Sequence, residues 1–218
     1  MGGPVIVVIG VGPGIGAAVA RKFGHEGYAV ALVARSADRL DELGSSLQSD
    51  GVTAGWTAVD ITDEAALTEA ITRFGEFSGH IDVLHFNPSA FRQKDPLELS
   101  PDELLDDVRL GVASLLTAVK AARPFMPAGS RIIVTGSQAA DRPWNQAASL
   151  GVQKAALRNL VRSIDKTLSP QGIRAMSLTV NGTLAPDTAF APERIADALY
   201  AAAAAPEETW QVEVPYEG

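Results

Sequence analysis

Short apolar runs alternate with longer amphipathic segments along the chain. The first run, Val5–Ile9, contains five β-branched residues, which favour extended structure, and it is followed by glycines and then by a helical pattern. Further runs that predict strands lie at residues 29–34, 53–59, 81–86, 131–135, 173–180 and 209–214. Strands that alternate with helices are typical of βαβ units, in which a crossover helix joins two parallel strands.

Polar caps, prolines and glycines mark the ends of the predicted helices. Ser36 can cap one helix, and Ser100-Pro101-Asp102-Glu103 has the serine, proline and glutamate spacing of a helix start. We predict helices over residues 17–23, 36–48, 61–75, 100–123, 147–168 and 192–205. The fold class is α/β: a mainly parallel, doubly wound sheet of seven strands with helices on both faces, three layers in all. Because no linker or change of composition divides the chain, we expect one domain over residues 1–218.

The charge balance excludes some partners. The 218 residues carry 18 Lys and Arg against 26 Asp and Glu, a net charge of −8, which argues against binding to nucleic acid or to an anionic membrane. The absence of cysteine excludes disulfides, thiolate metal sites and a cysteine nucleophile, and we predict no metal site. The first apolar run is too short for a signal peptide or a membrane span, so we expect a soluble cytoplasmic protein.

The glycine-rich turn after the first strand has the features of an anion site. Gly10-Val11-Gly12-Pro13-Gly14-Ile15-Gly16 joins an apolar strand to a helix, and its glycines let backbone amides approach a phosphate at the helix N-terminus. Pro13 removes one N–H from this cradle. Arg35 and Ser36 follow the second strand. In dinucleotide-binding folds an acidic residue at this place binds the 2′-hydroxyl of NAD, whereas a nearby arginine accommodates the 2′-phosphate of NADP. The pattern therefore favours NADP(H) over NAD(H).

With this turn, the order of elements resembles the short-chain dehydrogenase/reductase family over nearly the whole chain. The glycine turn is similar to the family's Gly-x3-Gly-x-Gly motif, Asp60-Ile61 to the pair that contacts adenine, and Val180-Asn181-Gly182-Thr183 to the segment near the nicotinamide. Phe86-Asn87-Pro88-Ser89 falls where the family has Asn-Asn-Ala-Gly. The resemblance implies a Rossmann fold and these cofactor-binding residues: Gly10, Gly12, Pro13, Gly14, Ile15, Gly16, Arg35, Ser36, Asp60, Ile61, Asn87, Pro88, Ser89, Lys154, Asn181, Gly182 and Thr183.

The catalytic pattern that the resemblance implies is incomplete. In this family a tyrosine exchanges a proton with the substrate oxygen, a lysine four residues later lowers the pKa of that tyrosine, and a serine hydrogen-bonds the substrate. Ser137 and Lys154 are present at the family's spacing, but Leu150 stands in the tyrosine position, and the wider spacing of some enoyl reductases gives Ala147. Leucine can neither donate a proton nor form a hydrogen bond.

The other parts of the pattern are also missing. The tyrosines of the chain, Tyr28, Tyr200 and Tyr216, lie far from Lys154 in sequence. The family's relay asparagine aligns with Gly111, or with Arg109 if the register slips.

Three explanations of this pattern stay open. The chain is an oxidoreductase that uses another acid, for which His85, Ser149, Ser137 or a water held by Lys154 are candidates. It is a catalytically silent NADP(H)-binding sensor or partner subunit. Or it performs a different reaction on the same fold. Retention of Ser137 favours an oxidoreductase that acts on an unknown carbonyl or alcohol substrate.

The substrate side and the outer helices give further expectations. The segment from Gly182 to the helix at Pro192 is short, which predicts an open pocket that Trp144, Phe91 and Phe190 can line. In relatives the helices that correspond to residues 104–123 and 147–168 form a subunit interface, so the resemblance implies a homodimer or homotetramer. Apolar periodicity alone does not separate this from helices that merely cover the sheet.

Overall fold

Residues 3–218 are described by the computed structural model. Their strands are β1 Val5–Ile9, β2 Ala29–Ala34, β3 Ala54–Ala58, β4 Val83–Phe86, β5 Arg131–Ser137, β6 Arg174–Val180 and β7 Glu213–Tyr216. Their α-helices are α1 Ile15–His25, α2 Ala37–Ser49, α3 Glu64–Ser78, α4 Pro101–Val108, α5 Ser114–Ala122, α6 Ala148–Leu168 and α7 Pro192–Ala203. None of these helices is long and apolar enough to cross a membrane.

The seven strands form one sheet in the order β3-β2-β1-β4-β5-β6-β7, and every neighbouring pair is parallel. Strand β1 lies in the interior of the sheet, where Val7 pairs with Ala31 on one side and with Leu84 on the other. All five residues of β1 are buried, which explains its unbroken apolar run. The predicted doubly wound α/β fold is confirmed.

Two apolar layers cover the sheet. Helices α3, α5 and α6 pack on one face through residues such as Ile71, Leu115 and Val161, and α1, α2 and α7 pack on the other through residues such as Phe23 and Leu40. Strand order reverses between β1 and β4, because the chain first builds outward to β3 and then returns to the other side of β1. Ligands of open parallel sheets bind outside the carboxyl ends of the strands at such a switch point.

The last strand is displaced from its predicted position. Strand β7 covers Glu213–Tyr216, whereas residues 207–209 form a 3-10 turn. Trp210, which contributed to the strand-like pattern, lies instead under the guanidinium groups of Arg131 and Arg174, 4.8 Å and 5.4 Å from its ring centroid. A cation–π contact at the end of the sheet therefore fixes this residue outside the strand.

The predicted helix over residues 100–123 is interrupted. Ser100 caps α4 in a capping box with Glu103, as expected, but Arg109–Ala113 forms a π-helical turn before α5 begins. A Cβ at Gly111 in this turn would lie 2.4 Å from the Oε1 atom of Gln153. The turn thus brings its backbone against a side chain of α6 at a distance that only glycine permits.

Candidate active site

A cleft of about 910 Å³ opens at the carboxyl ends of β1, β2, β4, β5 and β6. Its charged lining residues, among those that the structure describes, are Arg35, Arg39 and Lys154, and no carboxylate lines it. The chain as a whole carries a net charge of −8. A cleft with three cations in an acidic protein concentrates positive potential where an anionic ligand would enter.

The four glycines of the first turn fall into two pairs. Gly10 has a φ of +86°, and a Cβ there would lie 2.9 Å from the ring of Pro88. A Cβ at Gly16 would lie 2.6 Å from the carbonyl oxygen of Gly10. These two glycines permit the shape of the turn, whereas Gly12 has no atom within 4 Å of its Cβ position and Gly14 has only a methyl group of Leu184 at 3.9 Å. The second pair therefore keeps the cleft open above the backbone.

Helix α1 begins directly behind this turn. Its N-cap residue is Gly14, and no side chain caps it. Among the described residues, the N–H groups of Ile15 and Gly16 have no backbone acceptor, whereas that of Ala17 donates to the carbonyl oxygen of Gly12 at 3.2 Å. Ile15 lines the cleft. An anion at this place would meet unpaired N–H groups and the positive end of the helix dipole.

The end of β2 supplies two cations. Arg35 follows β2 directly, and Ser36 caps α2 by accepting a hydrogen bond from the backbone N–H of Arg39, with 3.5 Å between Oγ and N. All three residues line the cleft. Arg39 was missed by the sequence analysis, although it lies four residues after Arg35 at the start of a helix, a spacing that can bring two side chains to one side.

Of the adenine pair, only Ile61 lines the cleft. The carboxylate of Asp60 accepts hydrogen bonds from the backbone N–H of Thr62 at 3.0 Å and from its hydroxyl at 2.8 Å. The backbone N–H of Thr62, its hydroxyl and the charge of Arg35 lower the pKa of Asp60. The side chain of Asp60 thus stabilises the turn after β3 through its hydrogen bonds to Thr62.

Asn87, Pro88 and Ser89 line the cleft beside β4. The amide of Asn87 donates a hydrogen bond to the carbonyl oxygen of Gly10 at 2.9 Å, so this side chain joins the end of β4 to the glycine turn. Asn87 therefore holds the two strand ends together at the switch point.

Besides Asp60, four predicted cofactor residues lie outside the lining of the cleft. Pro13 lines a neighbouring groove between α1, α2 and α7, and Gly16 is packed against the backbone of its own turn. The amide of Asn181 bonds to Glu217 at 2.8 Å, and Thr183 does not line the cleft, whereas Gly182 does. The ring of Phe190 packs so closely against Gly182 that a Cβ at residue 182 would clash with it.

The structure brings Ser137, Leu150 and Lys154 together on the opposite side of the cleft from Arg35. The hydroxyl of Ser137 accepts a hydrogen bond from the N–H of Ala139 at 3.2 Å. The Lys154 side chain is buried, and its Nζ donates to the carbonyl oxygen of Thr135 at 2.9 Å. Burial lowers the pKa of Lys154 to about 8.

Leu150 lies one helical turn before Lys154 on the same side of α6, and both residues line the cleft. A hydrocarbon side chain therefore stands at the position where the resemblance implies a tyrosine. Among the described residues, no tyrosine lines the cleft: Tyr28 and Tyr200 pack on Phe23, and the hydroxyl of Tyr216 bonds to Ala189.

Two of the alternative acids proposed from sequence, His85 and Ser149, lie behind the wall of the cleft. His85 is fully buried, its Nε2 is 3.1 Å from the Thr135 hydroxyl, and burial together with the charge of Lys154 lowers its pKa to about 3. His85 is therefore neutral at pH 7. The hydroxyl of Ser149, also fully buried, donates to Asp107 at 2.7 Å. Neither side chain lines the cleft.

A side chain of α6 occupies the space beside Gly111, the residue that the resemblance aligns with the relay asparagine. Gly111 lies in the π-helical turn, and the side chain of Gln153 occupies the space that a side chain at 111 would enter. Arg109, the alternative position, is exposed and pairs with Asp106 at 2.9 Å. Neither residue supplies an asparagine-like group to the cleft.

Apolar side chains form the outer part of the catalytic side. Phe91, Leu110 and Leu184 line the cleft there, together with Leu150. Trp144 stacks on Phe91 with 6.1 Å between ring centroids, whereas Phe190 packs edge-on against Tyr216. Of the three predicted aromatics, Phe91 lines the cleft, Trp144 supports it, and Phe190 lies behind Gly182.

Known proteins resemble this chain in sequence and in structure. The short-chain dehydrogenase/reductase SDRA of Arabidopsis thaliana is 27% identical over 169 residues, 77% of this chain and 66% of that protein. The cyclic-di-GMP-binding biofilm dispersal mediator protein of Escherichia coli is 32% identical over 174 residues, 78% of this chain and 69% of that protein. The chain thus spans about two thirds of the length of these two relatives.

Solved structures extend the comparison to the whole fold. A metagenomic short-chain oxidoreductase in complex with NADP is 26% identical with a TM-score of 0.89, covering 99% of this chain and 97% of that chain. An alcohol dehydrogenase from Thermococcus sibiricus complexed with 5-hydroxy-NADP is 26% identical with a TM-score of 0.85, covering 97% and 95%. The family model for short chain dehydrogenases matches residues 4–194. The chain therefore belongs to the short-chain dehydrogenase family.

Proposed function

We propose that this chain is an NADP(H)-dependent oxidoreductase that acts on a carbonyl or alcohol substrate with a reduced catalytic set. The observation that carries the proposal is the charge of the cleft at the switch point, where the described lining residues include three cations and no carboxylate. Two of these cations, Arg35 and Arg39, lie beyond β2, where a 2′-phosphate distinguishes NADP from NAD. The cofactor, when bound, supplies the hydride.

The residues present fit such a cofactor. Backbone amides at the start of α1 would hold its pyrophosphate above the open side of Gly12 and Gly14. Arg35 and Arg39 would hold the 2′-phosphate by charge-assisted hydrogen bonds. Two solved neighbours that carry NADP or a derivative of it support this assignment, since both match nearly the whole chain.

On the other side of the cleft, the chain offers few groups for proton transfer. Ser137 can hydrogen-bond a substrate oxygen, and Lys154 is the one lining residue in the described chain whose pKa lies near neutrality, at about 8. In this proposal Ser137 orients the substrate oxygen, and the proton comes from the Lys154 ammonium, directly or through a water. Leu150, an apolar lining residue one helical turn before Lys154, supplies no proton.

A catalytically silent nucleotide-binding protein is the second candidate, and Leu150 is the observation that favours it. If the phosphate side of the cleft alone is in use, the chain binds NADP(H) as a sensor or a partner subunit. A relative named for binding cyclic-di-GMP gives this alternative a further ligand to test, because that ligand is also an anionic nucleotide.

Calorimetric titration with NADPH, NADH and cyclic-di-GMP tests the binding proposal. We expect NADPH to bind most tightly, and we expect Arg35→Ala and Arg39→Ala each to weaken NADPH binding by about 10- to 100-fold, since each removes a charge-assisted contact. NADH binding should change little. Arg73→Ala, an exposed arginine of α3 outside the cleft, is the matched control.

Equal affinities for NADPH and NADH in the unmodified protein would contradict the proposed role of the two arginines. A screen of aldehydes, ketones and alcohols then separates the two functions. Oxidation of NADPH with any carbonyl supports the oxidoreductase, and tight binding without turnover supports the silent protein. Tighter binding of cyclic-di-GMP than of NADPH would overturn the oxidoreductase and assign the silent nucleotide-binding protein a ligand other than NADP(H).

We also propose that the chain forms a homodimer or homotetramer through the helices over 104–123 and 147–168. Leu105, Leu116 and Val152 support this, because 59%, 41% and 46% of their surface stays exposed on these helices. Analytical ultracentrifugation tests it: a monomer at micromolar concentration would contradict the proposal, and Leu116→Glu should dissociate an oligomer. A cytoplasmic location stays a prediction.

A further inference from the structure

The segment that follows β4 borders the catalytic side of the cleft. Ser89 and Phe91 both line it, and 63% of the surface of Phe91 is exposed. Trp144 and Leu184 are also exposed, at 45% and 46%, and a group of exposed apolar side chains at the mouth of a cleft is typical of a ligand-binding surface. The residues on each side of Phe91 are held by separate contacts, one to the backbone of Ala90 and one to the side chain of Arg92.

Gln153 holds the backbone before Phe91. This side chain is fully buried in the interior of α6, its Oε1 accepts from the N–H of Ala90 at 3.0 Å, and its Nε2 donates to the carbonyl oxygen of Ala90 at 3.1 Å. The same Nε2 also lies 3.3 Å from the carbonyl oxygen of Ser149. The amide thus satisfies both polar groups of one residue of the segment, as a neighbouring strand would.

Asp107 holds the side chain of Arg92, the residue after Phe91. The guanidinium of Arg92 donates to Asp107 through two nitrogens, at 3.1 Å and 3.0 Å, and the hydroxyl of Ser149 donates to the same carboxylate at 2.7 Å. Asp107 is buried, with 4% of its surface exposed. A bidentate pair at a buried carboxylate fixes both position and angle.

Gly111 shows that the Gln153 contact has shaped the neighbouring helix. The π-helical turn over residues 109–113 passes so close to Gln153 that a Cβ at 111 would meet Oε1 at 2.4 Å. Leu110, in the same turn, lines the cleft. One buried glutamine therefore sits between two segments that both reach the cleft, the turn with Leu110 and the segment with Phe91.

The exposed ring of Phe91 is supported from behind. Trp144 stacks on it at 6.1 Å with an interplanar angle of 30°, and 45% of the surface of Trp144 is exposed. The other lining side chains nearby, Leu110, Leu150 and Leu184, are apolar. A flat aromatic face, an apolar surround and no carboxylate favour a planar, neutral ring over a sugar or a cation.

We propose that Phe91 is a fixed aromatic platform on which a planar ring of the substrate stacks, and that Gln153 and Asp107 are positioning residues which hold the platform from both sides. The substrate class is a planar conjugated carbonyl compound with its oxygen toward Ser137. This inference rests on the proposed function, because it treats this side of the cleft as the substrate side. Gln153 and Asp107 act through the backbone of Ala90 and the side chain of Arg92, not by touching the ligand.

Equilibrium binding of two probes tests the platform without turnover. 2-Acetylnaphthalene is planar, and 2-acetyldecalin has the same carbon skeleton but is saturated and puckered. Each is titrated into the protein alone and into the protein saturated with NADP⁺, which cannot reduce them. We expect the planar probe to bind about 3- to 10-fold more tightly, the range that ring stacking supplies, and Phe91→Leu to abolish the preference.

Variants of the positioning residues separate a platform from a merely structural contact. Gln153→Met removes the hydrogen bonds to Ala90 at similar side-chain volume, and we expect the probe preference to disappear while NADP⁺ affinity stays within about 2-fold, since the phosphate side is unchanged. Gln153→Glu, which keeps the acceptor for the Ala90 N–H, should retain part of the preference. Gln93→Met, an exposed glutamine two residues after Phe91, is the matched control and should keep all of it.

The two proposals fail in different ways. Absence of NADP⁺ binding overturns the proposed function, whereas the titrations of the protein alone still report on the platform. Equal binding of the two probes to the unmodified protein, or no binding of either, overturns the platform. If Gln153→Met does not fold by circular dichroism, Asp107→Asn and Gln153→Glu take its place, and an unchanged preference in both overturns the positioning roles.

Discussion

The two sides of the cleft differ in how much of the family's chemistry they retain. On the side of β1 and β2, the glycine turn, the uncapped start of α1 and the cations Arg35 and Arg39 are all in place. On the side of β5 and α6, Ser137 and Lys154 line the cleft, but Leu150 stands where the resemblance implies a tyrosine, and Gly111 where it implies an asparagine. The first side thus offers groups that can bind phosphate, whereas no tyrosine of the described residues lines the second side.

The two sides also differ in how many groups their proposed roles require. A phosphate cradle consists mainly of backbone amides. In this turn their arrangement depends on Gly10 and Gly16, where a Cβ would clash. An acid is a single side chain, and one substitution removes it. We therefore expect variants on the two sides of the cleft to affect cofactor binding and catalysis separately.

Restoring the phenol is expected to have the largest effect. Leu150→Tyr places a titratable hydroxyl beside Lys154, whose charge would lower the pKa of the phenol, and we expect turnover of a simple aromatic ketone with NADPH to rise by about 100-fold or more. Initial rates of NADPH oxidation measure it. Val152→Tyr, on the exposed side of the same helix, is the control and should give no gain. A rate for Leu150→Tyr equal to that of the control would mean that the catalytic side has lost more than its acid.

A substitution that distorts the glycine turn is expected to weaken NADPH binding without changing the catalytic side of the cleft. Gly16→Ala brings a Cβ to 2.6 Å from the Gly10 carbonyl oxygen, so the turn must shift and its amides lose their alignment. We expect NADPH to bind about 30-fold less tightly, the equivalent of one or two lost charge-assisted hydrogen bonds.

Gly55→Ala, where the added Cβ would meet only Phe74 at an ordinary 3.7 Å, controls for the substitution itself. Calorimetry gives both affinities. Unchanged NADPH binding by a folded Gly16→Ala protein would show that the pyrophosphate does not lie at this turn.

The charge of Lys154, on the catalytic side of the cleft, is expected to have a smaller effect on the affinity for NADP⁺. Because burial lowers its pKa from 10.5 to about 8, the ammonium is charged at pH 7 and largely neutral at pH 9. We expect affinity for NADP⁺ to fall by about 3-fold between these values in the unmodified protein, as one cation of the cleft is lost. Lys154→Met should bind more weakly at pH 7 and show no such dependence, whereas Lys120→Met, exposed on α5, should behave as the unmodified protein.

The same group changes stability in the opposite direction. An unfolded lysine keeps its proton up to pH 10.5, and the folded one releases it near pH 8, so between these values the unfolded state binds more protons. The stability of the unmodified protein relative to Lys154→Met should therefore increase as pH rises through this window. Urea unfolding at pH 7.5 and pH 10 measures it, and a decrease would contradict the assigned pKa.

The sequence alone was sufficient for the fold. Unbroken apolar runs such as Val5–Ile9 identify strands buried on both faces, and caps such as Ser36 and Ser100 set helix starts, because these signals depend on a residue and its near neighbours. The glycine turn and Arg35 were found for the same reason: each follows a strand directly, and the carboxyl ends of parallel strands share one edge of the sheet.

Only the tertiary structure decided the features that depend on residues distant in sequence. Arg39 joins the cations of the cleft because α2 turns it inward, and His85 lies behind Thr135 because β4 and β5 pair in one register. The space at Gly111 is filled by Gln153, forty-two positions away. Such contacts follow from how helices pack on the sheet, which local patterns do not encode, and they determine which side chains meet in the cleft.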